Sequence, residues 1–335
     1  MPIKIPDGLP ARLTLERENI FVMTEQRAVD QRIRPLKVLI LNLMPTKIVT
    51  ETQFLRKLSN TPLQIQVELL QTASYTPTHI DSSHLETFYR TFDQVKDLYY
   101  DGMIITGAPL ELIDFEEVAY WDELCTIMEW SKSHVHSTLH SCWGALAGLY
   151  YHYGIHKVVF SKKLFGIYPH VITKKHSPLF RGIDDVFYAP HSRSAGIRTD
   201  DLFGQPQLEL MAASREAGPF MIKSQDNRHL FMFGHPEYDS DTLAIEYQRD
   251  LEKGLDIQMP ENYFLDDDPA KGPVVRWRSA GQLIFSNWLN FYVYQTTPYD
   301  LRTLTPKKTD GSQLSPGDQP EPPEPAEPLE PEYII

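Results

Sequence analysis

Residues 138–148 read TLHSCWGALAG. The residues before it, VHSTL, alternate and carry β-branched side chains, which predicts a strand. The residues after it, WGALAGLYYHYG, are small and then aromatic at helical spacing, which predicts a helix. Cys142 therefore falls on a strand-to-helix turn. The free N–H groups and dipole of a helix N-terminus favour a thiolate, so the position suits a nucleophile as well as a small buried hydrophobe.

Outward from this turn the chain alternates. KVLILNLMP, LQIQVELLQTA and GMIITGAP read as short apolar strands, with helical TETQFLRKLSN and HLETFYRTFDQV between them. Such alternation predicts an α/β fold with a parallel sheet flanked by helices, whose ligands gather at the carboxyl ends of the strands. TGAP and HSC both lie at such ends. Beyond Tyr151 come further strand-like runs (KLFGIYPHVI, DDVFYAP, LELMAAS, GPFMIKS, HLFMFG) and two helical stretches, DTLAIEYQRDLEKGL and AGQLIFSNWLNFYVYQ, which complete one domain over residues 1–304. Residues 305–335 are rich in Pro and Glu and predict an extended, disordered tail.

Composition narrows the function. With 335 residues and 41% hydrophobic content the chain buries its own core. Forty-five acidic against 32 basic residues give a net charge of −13, which argues against nucleic acid and anionic membrane as partners and favours small-molecule chemistry. Two cysteines form no disulfide framework, and neither a hydrophobic leader nor a membrane-length apolar run is present, so a cytoplasmic location is expected.

A cysteine nucleophile needs an imidazole, and the imidazole needs a group that fixes its tautomer. HLFMFGHPEYD ends an apolar strand with Gly234, His235, Pro236 and Glu237; Pro236 keeps the backbone extended, so side chains at 235 and 237 project to similar sides. Cys142, His235 and Glu237 form a candidate triad. The plain alternative for HPE is a strand-end turn with a solvated Glu. His134, His136, His140 and Cys142 raise a metal reading, but their spacing along a strand is poor for a tetrahedral site, and no metal is expected. Cys125, within helical WDELCTIMEW, reads as core.

Beyond these local patterns the chain resembles the homoserine O-acyltransferase family, acetyltransferases and succinyltransferases with a flavodoxin-like fold of the class I glutamine-amidotransferase type. The resemblance runs from MPIKIPDGLPARLTLE and FVMTEQRA through ILNLMPTKIVTETQFLR, IITGAPLELIDFEEVAYW, HSTLHSCWGALAGLYYHYGI, KLFGI, APHSR and GHPEYDSDTLAIEYQRD to WRSAGQLIFSNWLNFYVYQTTPYDL. It implies Cys142 as the acyl-thioester nucleophile, His235 as general base and Glu237 as its partner. Lys163, Ser192 and Arg249 match substrate-contacting positions, and Glu111 matches the position tied to the choice of acyl donor. It further implies acetyl-CoA as co-substrate, no bound cofactor, L-homoserine as acceptor, and the first committed step of methionine biosynthesis, with a homodimer left open. Backbone N–H groups of Trp143 and of the GAPL loop at Leu110 are expected to form the oxyanion hole. Ser194, Ala195 and Gly196 depart from the family's usual His-Thr-Glu after PHSR, Pro169 stands where Glu is usual, and Leu146 where Gln is common. Succinyl-CoA as donor, serine as acceptor, a cysteine hydrolase or amidotransferase on the same fold, and a non-catalytic binding homologue are the competing readings.

Overall fold

The alternation of apolar strands and helices folds into a sheet with helices on both faces. In a computed structural model of the chain, residues 3–5, 22–24, 35–59, 61–74, 82–298 and 300–304 are described. Strands β1 (Ile3–Ile5) and β2 (Val22–Thr24) pair in parallel as a separate ribbon. The main sheet comprises β3 (Leu36–Leu41), β4 (Ile65–Leu70), β5 (Tyr89–Arg90), β6 (Tyr100–Ile105), β7 (Val135–Ser141), β8 (Val158–Ile172), β9 (Val186–Gly196), β10 (Leu208–Ser214), β11 (Gly218–Ser224) and β12 (His229–Met232). Its order is β5-β4-β3-β6-β7-β12-β11-β10-β8-β9. From β5 to β12 every neighbouring pair is parallel. From β12 to β9 every pair is antiparallel. The expected parallel sheet is thus one half of a mixed sheet, and the strand-like runs after Tyr151 build the other half.

The helices are α1 (Lys47–Ser59), α2 (Ser82–Phe88), α3 (Phe92–Val95), α4 (Trp121–His134), α5 (Trp143–Tyr153), α6 (Thr242–Glu252) and α7 (Arg278–Asn287), the last continuing as a π-helical stretch over Trp288–Tyr294. The single helix expected over HLETFYRTFDQV is instead broken into α2 and α3 by β5, where buried Tyr89 donates its hydroxyl to Glu51 at 2.5 Å. Strand side chains alternate between two cores, as period-two geometry requires. Leu39, Leu41, Met103 and Ile105 pack under α4 and α5, while Val38, Ile40 and Ile104 pack on the opposite face with Phe54, Leu58, Phe285 and Trp288. A third cluster, including Phe165, Leu243, Tyr263 and Trp277, seats α6.

All described residues belong to one compact unit, Met1–Thr305. The tail expected over 305–335 lies outside the described residues. Among the described residues, no helix is long and apolar enough to cross a membrane.

Candidate active site

Six of the seven residues of β7 are buried and so are the first seven of α5, so the turn between them is held from both sides. That leaves little freedom at Cys142, which adopts φ 49° and ψ −115°, a conformation that L-residues avoid. Its N–H donates to the Met232 carbonyl of β12 at 2.7 Å, and its carbonyl accepts from Ala145 and Leu146 to start the helix. Backbone strain of this kind costs about 1–3 kcal/mol and persists where the surroundings over-determine it. Gly144 makes the close approach possible: a Cβ there would stand 2.7 Å from the Thr106 carbonyl oxygen and 2.8 Å from that of Ile105.

His235 follows β12, and its N–H donates to the Pro190 carbonyl at 2.8 Å. Its Nδ1 lies 2.7 Å from Glu237 Oε1, and its ring stacks on Tyr238 with centroids 4.2 Å apart. Cys142, His235 and Glu237 are each at most 5% exposed. Burial opposes charge on His235, but the negative charges of Cys142 and Glu237 and hydrogen bonds to both raise its pKa well above the usual imidazole value. The arrangement favours the protonated imidazole of His235. With Nδ1 held by Glu237, Nε2 is the nitrogen left for proton traffic.

Cys142 and His235 open into a cavity of about 530 Å³, which Glu111, Lys163, Ser192 and Arg249 also line. The structure therefore gathers every substrate-contacting candidate around one space. They meet at a carboxylate that sequence reasoning missed. Glu246 Oε1 accepts from Lys163 Nζ at 2.6 Å and from Ser192 Oγ at 2.7 Å, and lies 3.6 Å from Arg249 Nη2. Asp250, also missed, holds Arg249 at 2.7 Å. The signal was available: residues 246, 249 and 250 share one face of α6 by helical spacing. Burial raises the pKa of Glu111, while His235 and Lys163 oppose the rise.

The GAPL loop needs a correction. The Leu110 N–H donates to the Ala108 carbonyl at 2.9 Å, closing a tight turn, so it is not directed at a reacting oxygen. Leu110 lines a separate, more apolar cavity of about 300 Å³ instead. Gly107 is the loop residue that abuts the turn, since a Cβ there would lie 3.2 Å from Cys142 Cβ and 3.7 Å from Trp143 N. The metal reading also changes. His134 is stacked on Trp130 and Tyr99, and His136 Nε2 lies 2.8 Å from Thr296 Oγ1, so neither converges on Cys142. His140 faces His152 and His229.

A model of the homoserine O-succinyltransferase family matches residues 2–299. The chain belongs to that family. A homoserine O-acetyltransferase of Agathobacter rectalis is 56% identical over 300 residues, covering 90% of this chain and 97% of that protein. One from Petrotoga mobilis is 56% identical over 304 residues, covering 91% and 98%. A homoserine O-succinyltransferase of Shewanella baltica is 54% identical over 305 residues, covering 91% and 97%. Among solved structures, a glutamine amidotransferase from Thermotoga maritima is similar with a TM-score of 0.50 at 12% identity, covering 76% of this chain and 97% of that one. That likeness concerns the fold. Within the homoserine O-succinyltransferase family, then, this chain carries a cysteine elbow, a His–Glu pair and a charged cavity on an amidotransferase-like sheet.

Proposed function

We propose that the protein transfers an acetyl group from acetyl-CoA to the hydroxyl of L-homoserine through an acyl-cysteine intermediate. The observation that carries this reading is the 2.7 Å His235–Glu237 pair beside the Cys142 elbow, in the same cavity as the Lys163, Ser192, Glu246 and Arg249 cluster. Cys142 Sγ attacks the thioester carbonyl carbon, and the tetrahedral oxyanion takes hydrogen bonds from the Trp143 N–H and the Gly107–Ala108 segment. The C–S bond to CoA breaks, and the imidazolium of His235 gives its proton to the leaving thiolate. Neutral His235 then takes the proton of the homoserine hydroxyl as that oxygen attacks the acyl carbon. Cys142 leaves, O-acetyl-L-homoserine departs, and the imidazolium–thiolate pair is restored. Glu237 keeps its charge throughout and fixes the tautomer.

The charged cluster suits a zwitterionic acceptor. Arg249 presents a planar fork to the α-carboxylate, and Glu246 accepts from the α-ammonium in place of Lys163 or Ser192. Glu111 disfavours a donor that carries a second carboxylate. Methionine biosynthesis is the pathway to which such a product belongs, and the cytoplasm the place where acetyl-CoA is at hand. Release of CoA from acetyl-CoA and from succinyl-CoA, each offered L-homoserine and then L-serine, tests the assignment. Turnover should be highest with acetyl-CoA and homoserine; release that does not depend on an acceptor would make the protein a thioesterase.

A further inference from the structure

On the α5 side of the sheet, outside the residues that line either cavity, three histidines from distant parts of the chain come together. His140 lies on β7, His152 on the last turn of α5 and His229 at the start of β12. His140 Nε2 stands 3.3 Å from His229 Nδ1, and one nitrogen from each ring falls within 4.8 Å of the other two. The rings crowd together, with centroids 4.5 Å apart for His152 and His229 and 5.8 Å for His140 and His152. Phe231 covers them, stacked on His140 at 4.7 Å.

His152 is the anomaly. Both of its ring nitrogens are buried without a hydrogen-bond partner among the described residues. A neutral imidazole always carries one N–H and one lone pair, so this ring buries an unpaired donor and an unpaired acceptor together, which is unfavourable. On the sheet, His140 Nε2 and His229 Nδ1 are each other's partners, while His140 Nδ1 is also buried without one among the described residues.

We infer that His140, His152 and His229 form a binding site for a borderline transition-metal dication such as Zn²⁺, distinct from the catalytic cavity. Two imidazole nitrogens bound to Zn²⁺ at about 2.0–2.1 Å with a tetrahedral angle stand about 3.3 Å apart, the separation of His140 from His229. Bringing in the third nitrogen takes at most about 1.5 Å of adjustment, at the end of a helix where Gly154 already terminates the turn. Nitrogen-only ligation selects Zn²⁺, Co²⁺, Ni²⁺ or Cu²⁺ over Mg²⁺ and Ca²⁺. Of the three residues His152 is the one nearest solvent, partly exposed where His140 and His229 are buried, although its ring nitrogens themselves are covered. Charges near the cluster are mixed: Asp226 favours a cation, Arg228 and Lys132 oppose one, and Lys132 is itself paired with Glu129 at 2.6 Å. Gly148 leaves room for the His140 ring, since a Cβ there would stand 2.6 Å from its Nδ1. A bound ion would pin the C-terminal end of α5 to β7 and β12, and α5 is the helix that begins at the nucleophile.

The test uses the full chain without an affinity tag and Co²⁺ as probe, in wild type and in Cys142→Ser, which removes the catalytic thiol as a competitor and leaves the half-buried Cys125 in both. Both proteins should bind one Co²⁺ per chain, with the visible d–d bands of a low-coordinate site and about three imidazole nitrogens by X-ray absorption, and Zn²⁺ should displace it. His152→Leu and His229→Leu should each weaken binding at least tenfold and abolish the metal-dependent rise in Tm, while acyl-transfer rates measured in chelator stay as in wild type. In chelator His152→Leu should melt no lower than wild type, because it removes the unpartnered nitrogens. Should either histidine variant fail to fold, the wild-type and Cys142→Ser measurements still decide. Failure of Cys142→Ser to bind Co²⁺, or unchanged binding by a folded His152→Leu, overturns the site; the first result would place the metal on the catalytic thiol.

Discussion

At the scale of single residues, the proposed mechanism has some side chains that react and others that select. His235→Asn should lower kcat by about 10²–10⁴-fold with little effect on folding, because it removes the proton carrier but leaves the elbow in place. Glu237→Gln should cost less, since the amide can still orient the ring while losing the charge that raises the His235 pKa. Glu111 selects. Like charges about 4 Å apart repel by about 1 kcal/mol in water and about 4 kcal/mol at an effective dielectric near 20, so Glu111→Gly should raise kcat/KM for succinyl-CoA and lower it for acetyl-CoA. Because burial raises the pKa of Glu111, its charge is lost on acidification before that of an exposed Glu. The acetyl-over-succinyl preference should therefore fall as pH drops through that raised value; a preference that is flat with pH would show that volume alone discriminates. Cys142, His235 and Glu237 are legible in the sequence because an elbow and an HPE step are local patterns. Glu246 was hidden because its importance lies in what reaches it: Lys163 comes from β8 and Ser192 from β9, and no local pattern joins those strands to α6.

Elements decide whether those residues meet. The elbow depends on α5 starting hard against β6, and Gly144→Ala would push a methyl into two carbonyl oxygens at under 3 Å. The variant should be destabilised by about 1–3 kcal/mol in denaturant titration and should lose activity through a displaced Cys142. Strain at the nucleophile predicts a second, opposite effect. Cys142→Gly should be more stable than Cys142→Ala, by about 1 kcal/mol, since only glycine tolerates φ 49° without cost. Equal stabilities would mean the turn relaxes when the thiol goes. The parallel strands and their helices are readable because each is a short apolar run between amphipathic stretches. The antiparallel half is less so, as the pairing of β8 with both β9 and β10 depends on contacts across the chain. The break of the 84–95 segment into α2, β5 and α3 follows from Tyr89 turning inward to Glu51 and Asn42, a tertiary demand that outweighs helical periodicity. The unusual SAG stretch is also explained from outside itself. Ser194 lines the cavity, while a Cβ at Gly196 would collide with Arg193 Nη1 and Phe160 Cζ at about 2.5 Å, so that space is given to other side chains.

Over the whole molecule, the cavity lies where the parallel half of the sheet meets its antiparallel extension, the place at which loops from both can converge. The lining of the cavity among the described residues runs from Met44 to Gln258, and the family match ends at residue 299, which is the basis for expecting the Pro/Glu-rich tail to be dispensable for the reaction. A chain ending at Thr305 should keep wild-type kcat and KM; a folded but inactive truncation would show that the tail completes the site. In the proposed reaction the acyl group rests on Cys142 between the two half-reactions. Intact-protein and peptide mass spectrometry after incubation with acetyl-CoA and no acceptor tests it most directly. One added acetyl group is expected on the peptide containing Cys142, lost on addition of L-homoserine with formation of its O-acetyl ester. An acetyl group on another residue, or wild-type turnover by Cys142→Ser, would contradict it.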